Sequence, residues 1–204
     1  MSEDLIEQLI TAGDIKTPTL IKAFRRIKRV DFLPEEVTAE AQVNTPLPIG
    51  AGQTNSQPQT VAFMLELLQP QEGEKILDIG SGSGWTTALL AEAVGPTGCV
   101  YAIERLIELK NFGENNVRKY SLNNVEFFCQ DGYAGLAKFM PFAKILVSAA
   151  AYEIPENLKI QLAVGGRLVV PTINQDIRVI DKISSDKYQQ TIYPGFIFVP
   201  LIKD

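Results

Sequence analysis

Apolar positions change rhythm about a third of the way along the chain. Before that point they recur at helical spacing. Leu5, Ile6, Leu9 and Ile10 form one stripe, with Ser2 placed to cap it. Leu20, Ile21, Phe24 and Ile27 form a second behind Thr17-Pro18, an N-cap followed by proline in the first turn. A third helix, carrying Val61, Met64, Leu65 and Leu68, begins after Ser56-Gln57-Pro58 and stops before Pro70. Between Leu33-Pro34 and Ser56 the spacing fits neither helix nor strand. Pro46, Pro48, Gly50 and Gly52 mark an irregular loop too long for a simple connector, and loops of that kind often carry function.

Beyond Lys75 short apolar runs alternate with helical stretches. The pattern predicts strands at Ile76–Ile79, Val100–Ile103, Val125–Phe128, Lys144–Val147 and Arg167–Val170, with helices from about Trp85 to Val94, Leu106 to Tyr120 and Glu156 to Leu162. A βαβα series implies parallel strands joined by crossover helices. In the tail, Ile177, Val179 and Ile183 alternate with polar residues before an aromatic stretch to Val199, which predicts antiparallel strands closing one edge. The expected fold class is therefore α/β, a doubly wound, mostly parallel sheet with an N-terminal helical cap and an antiparallel C-terminal edge. The 204 residues suit a single domain: 1–58 as helical cap and loop, 59–171 as ligand-binding core and 172–204 as edge strands.

Composition narrows the chemistry. There is no histidine, which excludes triads that depend on one, and two separated cysteines cannot assemble a structural zinc site. Cys99 and Cys129 read as thiols in buried strands of a protein of the reducing cytoplasm. No apolar run approaches the roughly 20 residues of a membrane span, and the start of the chain is acidic, so membrane insertion and export are not expected. A net charge of -5 argues against broad phosphate binding. Lys22, Arg25, Arg26, Lys28 and Arg29 form one basic run, read as a solvated helix face.

The stretch Leu77-Asp78-Ile79-Gly80-Ser81-Gly82-Ser83-Gly84-Trp85 runs from strand through a glycine turn into helix. Glycines at 80, 82 and 84 permit positive φ and let a ligand approach the backbone at the carboxyl edge of the sheet. Residue 85 is Trp, so the dinucleotide spacing G-x-G-x-x-G is not met. Asp78 inside the turn is a poor neighbour for a pyrophosphate but suits a ligand with an ammonium and a sulfonium group, which points to S-adenosylmethionine. Glu104 ends the next strand, where a carboxylate can accept from both ribose hydroxyls. Asp131-Gly132 follows the third strand, placed to read an adenine amino group.

Through these three segments the chain resembles the class I S-adenosylmethionine-dependent methyltransferases, which have a Rossmann-like fold. The resemblance narrows upstream. Pro46-Leu47-Pro48-Ile49-Gly50-Ala51-Gly52-Gln53-Thr54-Asn55-Ser56-Gln57-Pro58 is similar to the P-L-P-I-G-x-G-Q-T-x-S-Q-P signature of protein-L-isoaspartate O-methyltransferases. Phe32-Leu33-Pro34, Ser148-Ala149-Ala150, Gly165-Gly166-Arg167 and Phe198-Val199-Pro200-Leu201 extend the likeness over nearly the whole chain. It implies methyl transfer to the α-carboxylate of L-isoaspartyl residues in damaged proteins and peptides, the first step of their repair. Its residues carry over as Ser56 in the active site and Thr54, Asp78, Gly80, Ser81, Gly82, Gly84, Glu104, Asp131 and Gly132 around the cofactor, with no metal. The segment Val43–Gly52 would bind the peptide through main-chain groups. By residue type alone, Ser56 also fits a helix N-cap.

Departures from the family pattern fall at Gln42, Asn44, Asn55, Gln130, Ala143 and Ile197, around the substrate segment and the C-terminal closure more than the cofactor turn. They keep two rivals in view: an RNA methyltransferase using the basic run, and a noncatalytic protein that binds the cofactor and merely recognises isoaspartyl or C-terminal carboxylates. The expected partners are isoaspartyl peptides and proteins, with neither membrane nor nucleic acid, and the expected state is a monomer.

Overall fold

The computed structural model describes residues 4–203. Helix α1 (Leu5–Ala12) is capped by Asp4, whose carboxylate accepts from the Ile6 N–H at 2.9 Å; the cap expected at Ser2 lies outside the described residues. Helix α2 (Pro18–Arg26) starts after Thr17 as expected, but the Thr17 side chain does not cap it. The Glu66 carboxylate of a later helix instead accepts from the N–H groups of Lys16 and Thr17 at 2.8 Å each and from the Thr17 hydroxyl at 2.7 Å. A negative group at the positive end of a helix dipole is favourable there.

A 3₁₀ turn, Arg29–Phe32, leads into the loop read as irregular, which contains a second, Glu35–Glu40, and an antiparallel hairpin of β1 (Leu47–Gly50) and β2 (Gln53–Asn55). Gly50 and Gly52 supply φ of +92° and +70° at its tip. Helix α3 (Pro58–Leu68) has Gln57 at its N-cap position, not Ser56. Its first turn is closed from a distance by Asn44, whose side chain accepts from the Gln59 N–H at 3.1 Å and donates to the Gln59 side chain at 3.2 Å.

The main sheet follows: β3 (Lys75–Ile79), α4 (Trp85–Val94), β4 (Cys99–Glu104), α5 (Ile107–Arg118), β5 (Val125–Cys129), β6 (Phe142–Val147), α6 (Glu156–Gln161), β7 (Leu162–Thr172), β8 (Asp176–Lys182) and β9 (Tyr188–Pro194). Its strand order is β5-β4-β3-β6-β7-β8-β9, parallel through β7 and antiparallel for the last two pairings. The expected mostly parallel sheet with an antiparallel edge is what the chain forms. Strand β7 starts earlier than Arg167 because an irregularity between Phe142 and Lys144 lets the Gly165-Gly166 stretch continue the pairing.

The order in which strands are added reverses at β3, whose neighbours are β4 on one side and β6 on the other. The register pairs Ile79 with both Ile103 and Val147, so three carboxyl ends finish level and their loops converge. Ligands of open α/β sheets bind at such a switch point. One sheet face, including Ile76, Val100, Leu146 and Val169, is covered by α3, α4 and α5, with α2 packed on α4 and α1 on α2 in the same core. Leu77, Ile79, Ile103, Ile145 and Leu168 on the other pack beneath α6 and the 3₁₀ turns after β5. The N-terminal helices share the first of these cores, with Phe24 edge-on to Trp85 at 5.8 Å between centroids.

Neither cysteine is a core thiol. Cys99 begins its strand half-buried and Cys129 ends its strand exposed, and both are free. The basic run is also not one solvated face: Arg25 pairs with Glu7, Arg26 and Lys22 pair with the buried Glu92, and Arg29 is buried.

Gly84 and Gly113 pack backbone to backbone. A Cβ on Gly113 would lie 2.6 Å from the Gly82 carbonyl oxygen, and one on Gly84 would lie 2.7 Å from the Gly113 oxygen. Glycine to alanine inside a helix ordinarily gains about 1 kcal/mol. Here Gly113→Ala should instead lower stability, by about 1–3 kcal/mol, because the turn or the helix must move to admit the methyl group. Urea denaturation of wild type and variant checks the sign.

Candidate active site

The glycine turn between β3 and α4 is tied to the sheet before any ligand arrives. The N–H groups of Gly80 and Ser81 donate to the Ile103 carbonyl at 2.9 and 3.1 Å, and the Gly84 N–H donates to the Ser81 carbonyl at 2.8 Å. All three glycines have positive φ: +81°, +50° and +85°. Glu104, almost wholly buried at the end of β4, accepts from the Gly82 N–H through one oxygen and the Leu106 N–H through the other, both at 3.0 Å. Each oxygen keeps a lone pair for a further donor.

A cavity opens over this turn. Its wall includes Thr54, Ser56, Gly80, Ser81, Gly82, Glu104 and Gly132, which sequence reasoning chose for the site. Three other expected cofactor residues stand behind the wall. Gly84 is spent on the contact with Gly113, and Asp131 accepts from the Tyr133 N–H at 2.8 Å to cap the 3₁₀ turn that presents Gly132.

Asp78 is the third. It is completely buried, and one oxygen accepts from the Thr87 hydroxyl at 2.6 Å while the other has no partner. Burial pushes its carboxyl up to about 7, against the hydrogen bond from Thr87 and with a further upward push from the Glu104 charge. It therefore shapes the turn from below, not as a surface counter-charge to a ligand.

The wall fits the cofactor that the motifs imply. Ser81 Oγ is buried in it without a protein partner, an unmet polar group of the kind a bound ligand satisfies. The absence of a side chain at Gly82 also matters, since a Cβ there would come within 3.2 Å of Ile49 Cδ1 and narrow the space between hairpin and turn. The Glu104 carboxylate suits a diol, and Gly132 and the Val199–Ile202 segment bound the far side.

Two residues that sequence reasoning did not single out for the site organise it. Arg29 is 5 % exposed and has no carboxylate partner in its hydrogen-bond set. Its guanidinium donates to the carbonyls of Val43 at 2.8 Å, Thr45 at 2.7 Å, Asn55 at 3.3 Å and Ser56 at 3.2 Å, and Nε donates to the Asn55 side-chain oxygen at 2.8 Å. The guanidinium carbon lies 5.7 Å from the centroid of the Trp85 ring. Burial lowers its pKa to about 10, which leaves it charged at neutral pH. Asn55, itself buried, turns its amide nitrogen to Ser83 Oγ at 3.0 Å and so joins the hairpin to the glycine turn.

These bonds occupy part of Val43–Gly52, the segment expected to bind peptide through main-chain groups. Arg29 takes the carbonyls of Val43 and Thr45, and β1 spends its inner edge on β2. Of the departures, Gln42 accepts from the Leu5 N–H, Asn44 closes α3 and Asn55 links Arg29 to Ser83, so all three have structural work. Nothing local in the sequence marks Arg29, because each of its acceptors is brought to it by tertiary folding.

A glycine turn at the switch point of a seven-stranded sheet, with an acidic residue ending the next strand, defines a class I S-adenosylmethionine-dependent methyltransferase. The family model for protein-L-isoaspartate(D-aspartate) O-methyltransferases matches residues 1–204, and the chain belongs to that family. A Methanopyrus kandleri protein-L-isoaspartate O-methyltransferase is 39% identical over 204 residues, covering 98% of this chain and 90% of its own. The Aeropyrum pernix protein of the same name is 42% identical over 202 residues, covering 97% and 78%. A Plasmodium falciparum protein-L-isoaspartate O-methyltransferase crystallised with S-adenosyl-L-homocysteine superposes with a TM-score of 0.87 at 25% identity, covering 98% of this chain and 97% of that one.

Two variants test the local physics. Arg29→Lys keeps a charge but exchanges a planar fork of five donors for a point charge with three, and should lower stability by about 2–4 kcal/mol in a urea melt. For Asp78, a carboxyl held above its ordinary 3.8 stabilises the fold fully below that value and loses the contribution as pH rises through about 7. Wild-type stability should therefore carry a downward component between about pH 4 and 7 that Asp78→Asn removes. Melting curves of both proteins across that window measure the difference.

Proposed function

We propose that the chain transfers the methyl group of S-adenosylmethionine to the α-carboxylate of L-isoaspartyl residues in damaged proteins and peptides. The observation that carries this reading is the meeting of Thr54 and Ser56, from the family's signature segment, with the glycine turn and Glu104 in one cavity wall. When bound, S-adenosylmethionine supplies an electrophilic methyl group on a sulfonium.

The chain's own tasks are then binding and aim. The backbone of Gly80–Gly82, the Ser81 hydroxyl, Glu104 and Gly132 hold the cofactor. The acceptor carboxylate is already ionised at neutral pH and needs no general base, so the lack of histidine costs nothing. Catalysis reduces to placing a carboxylate oxygen in line with the breaking S–C bond and keeping water away. Ser56 is the residue for that aim: its hydroxyl donates to the carboxylate without neutralising it, while Arg29 holds its backbone carbonyl. It is also released from the competing role, since Gln57 occupies the N-cap position of α3.

The same proposal takes residues 1–204 as one methyltransferase domain acting as a cytoplasmic monomer without nucleic acid. Among the described residues no helix is long and apolar enough to cross a membrane. The pairing of Lys22, Arg25 and Arg26 with acids, together with the burial of Arg29, takes support from the RNA reading.

The test uses methyl-labelled S-adenosylmethionine and two peptides of one sequence, one with isoaspartate and one with aspartate. Base-labile methyl ester should form on the isoaspartyl peptide alone. Ser56→Ala should slow turnover by on the order of tenfold to a thousandfold while leaving cofactor affinity nearly unchanged, as for loss of one positioned donor. Label on both peptides or on neither overturns the assignment, and unchanged turnover removes Ser56 from it.

A further inference from the structure

A second depression adjoins the cofactor cavity. It encloses about 770 Å³ and shares Thr54, Ser56, Ser148 and Val199 with the cavity wall, so the two spaces meet at the serine proposed to aim the carboxylate. Its other side is built from Phe63 of α3 and the segment Gly195–Phe198 that follows β9.

That segment is fixed at both ends. The N–H groups of Gly195 and Phe196 donate to the Gln175 carbonyl at 2.8 and 3.0 Å, and the Val199 carbonyl accepts from the Ala150 N–H at 2.7 Å. Phe196 stacks on Phe63 with centroids 4.9 Å apart, and Phe63 in turn meets Tyr193 edge-on at 5.6 Å. Ile197 projects from this aromatic floor with 80 % of its surface exposed, the most exposed of the large apolar side chains among the described residues. The lining includes no Lys or Arg, and its single charged residue, Asp14, accepts from the Gln59 side chain at 3.1 Å. Attraction to a peptide in this groove is thus apolar, not ionic.

We propose that the groove seats a bulky apolar or aromatic side chain next to the isoaspartyl residue, and that Ile197, over the Phe196–Phe63 stack, is the residue that selects for it. The inference rests on the proposed methyl transfer at Ser56. A substrate peptide whose isoaspartyl carboxylate reaches Ser56 runs into this groove, and covering Ile197 removes apolar surface from water on both partners. Full burial of one Leu or Phe side chain corresponds to about 10- to 100-fold in affinity.

The experiment compares isoaspartyl peptides that differ only in one neighbour, Leu, Phe or Ser, placed on either side of the isoaspartyl residue, with saturating S-adenosylmethionine. On one of the two sides, kcat/KM for Leu or Phe should exceed that for Ser by about 10- to 100-fold. The difference should lie in KM and persist between low and high salt. Ile197→Ser, at a position too exposed to threaten folding, should cut that ratio by about 5-fold or more, and Ile197→Leu should restore it. Equal kcat/KM for all neighbours, or a preference that survives Ile197→Ser, overturns the inference while leaving methyl transfer standing. If none of the isoaspartyl peptides is methylated, the reading at Ser56 is overturned, and this inference with it.

Discussion

A single buried cation holds the active-site region in shape. Arg29 sits between the N-terminal helices and the signature hairpin, and carbonyl dipoles and one amide oxygen surround it in place of a counter-ion. A buried charge is costly unless its hydrogen bonds are met, and the planar guanidinium spreads its donors widely enough to meet acceptors from residues 43 to 56 at once. The loop therefore has one favourable conformation, and Ser56 is carried within it. Through Asn55 and Ser83 the same network reaches the glycine turn, so the serine and the cofactor cradle are set against a common reference.

The reaction explains why this is enough. Transfer to a carboxylate needs no proton removed and no metal, so the chain is asked for distance, direction and dryness. Its polar groups at the cavity are accordingly donors and acceptors for binding and aim: hydroxyls at Thr54, Ser56, Ser81, Ser83, Thr86 and Ser148, amides at Gln53 and Asn55, the Glu104 carboxylate, Arg105 and turn backbone. Most of the fold's effort goes into making those positions stiff, through the level strand ends of β3, β4 and β6 and the contact of Gly84 with Gly113.

Local pattern made the framework legible. Strands at 76–79 and 100–103 and the helix at 85–94 fall within a residue of the observed bounds, because apolar runs and glycine breaks are encoded next to one another. Where the partner lies far along the chain, local pattern was silent. Glu66 and Asn44 close helices that neighbouring residues were expected to cap, Arg29 looked like part of a solvated run, and the hairpin at 47–55 looked irregular because its alternation is too short to register. Asp78 was located correctly in sequence but given the wrong environment, since neither its depth nor its bond to Thr87 can be read from a strand-turn motif.

The segment Val199–Ile202 forms one side of the cofactor cavity, yet it is synthesised long after the glycine turn that forms another. At about 5–20 residues per second, the ribosome needs on the order of ten seconds to travel from one to the other. During that interval the nascent chain has the cradle without its far wall. The cavity is thereby complete only once the sheet's last strands have emerged and docked, and a chain interrupted before that stage lacks one of its walls.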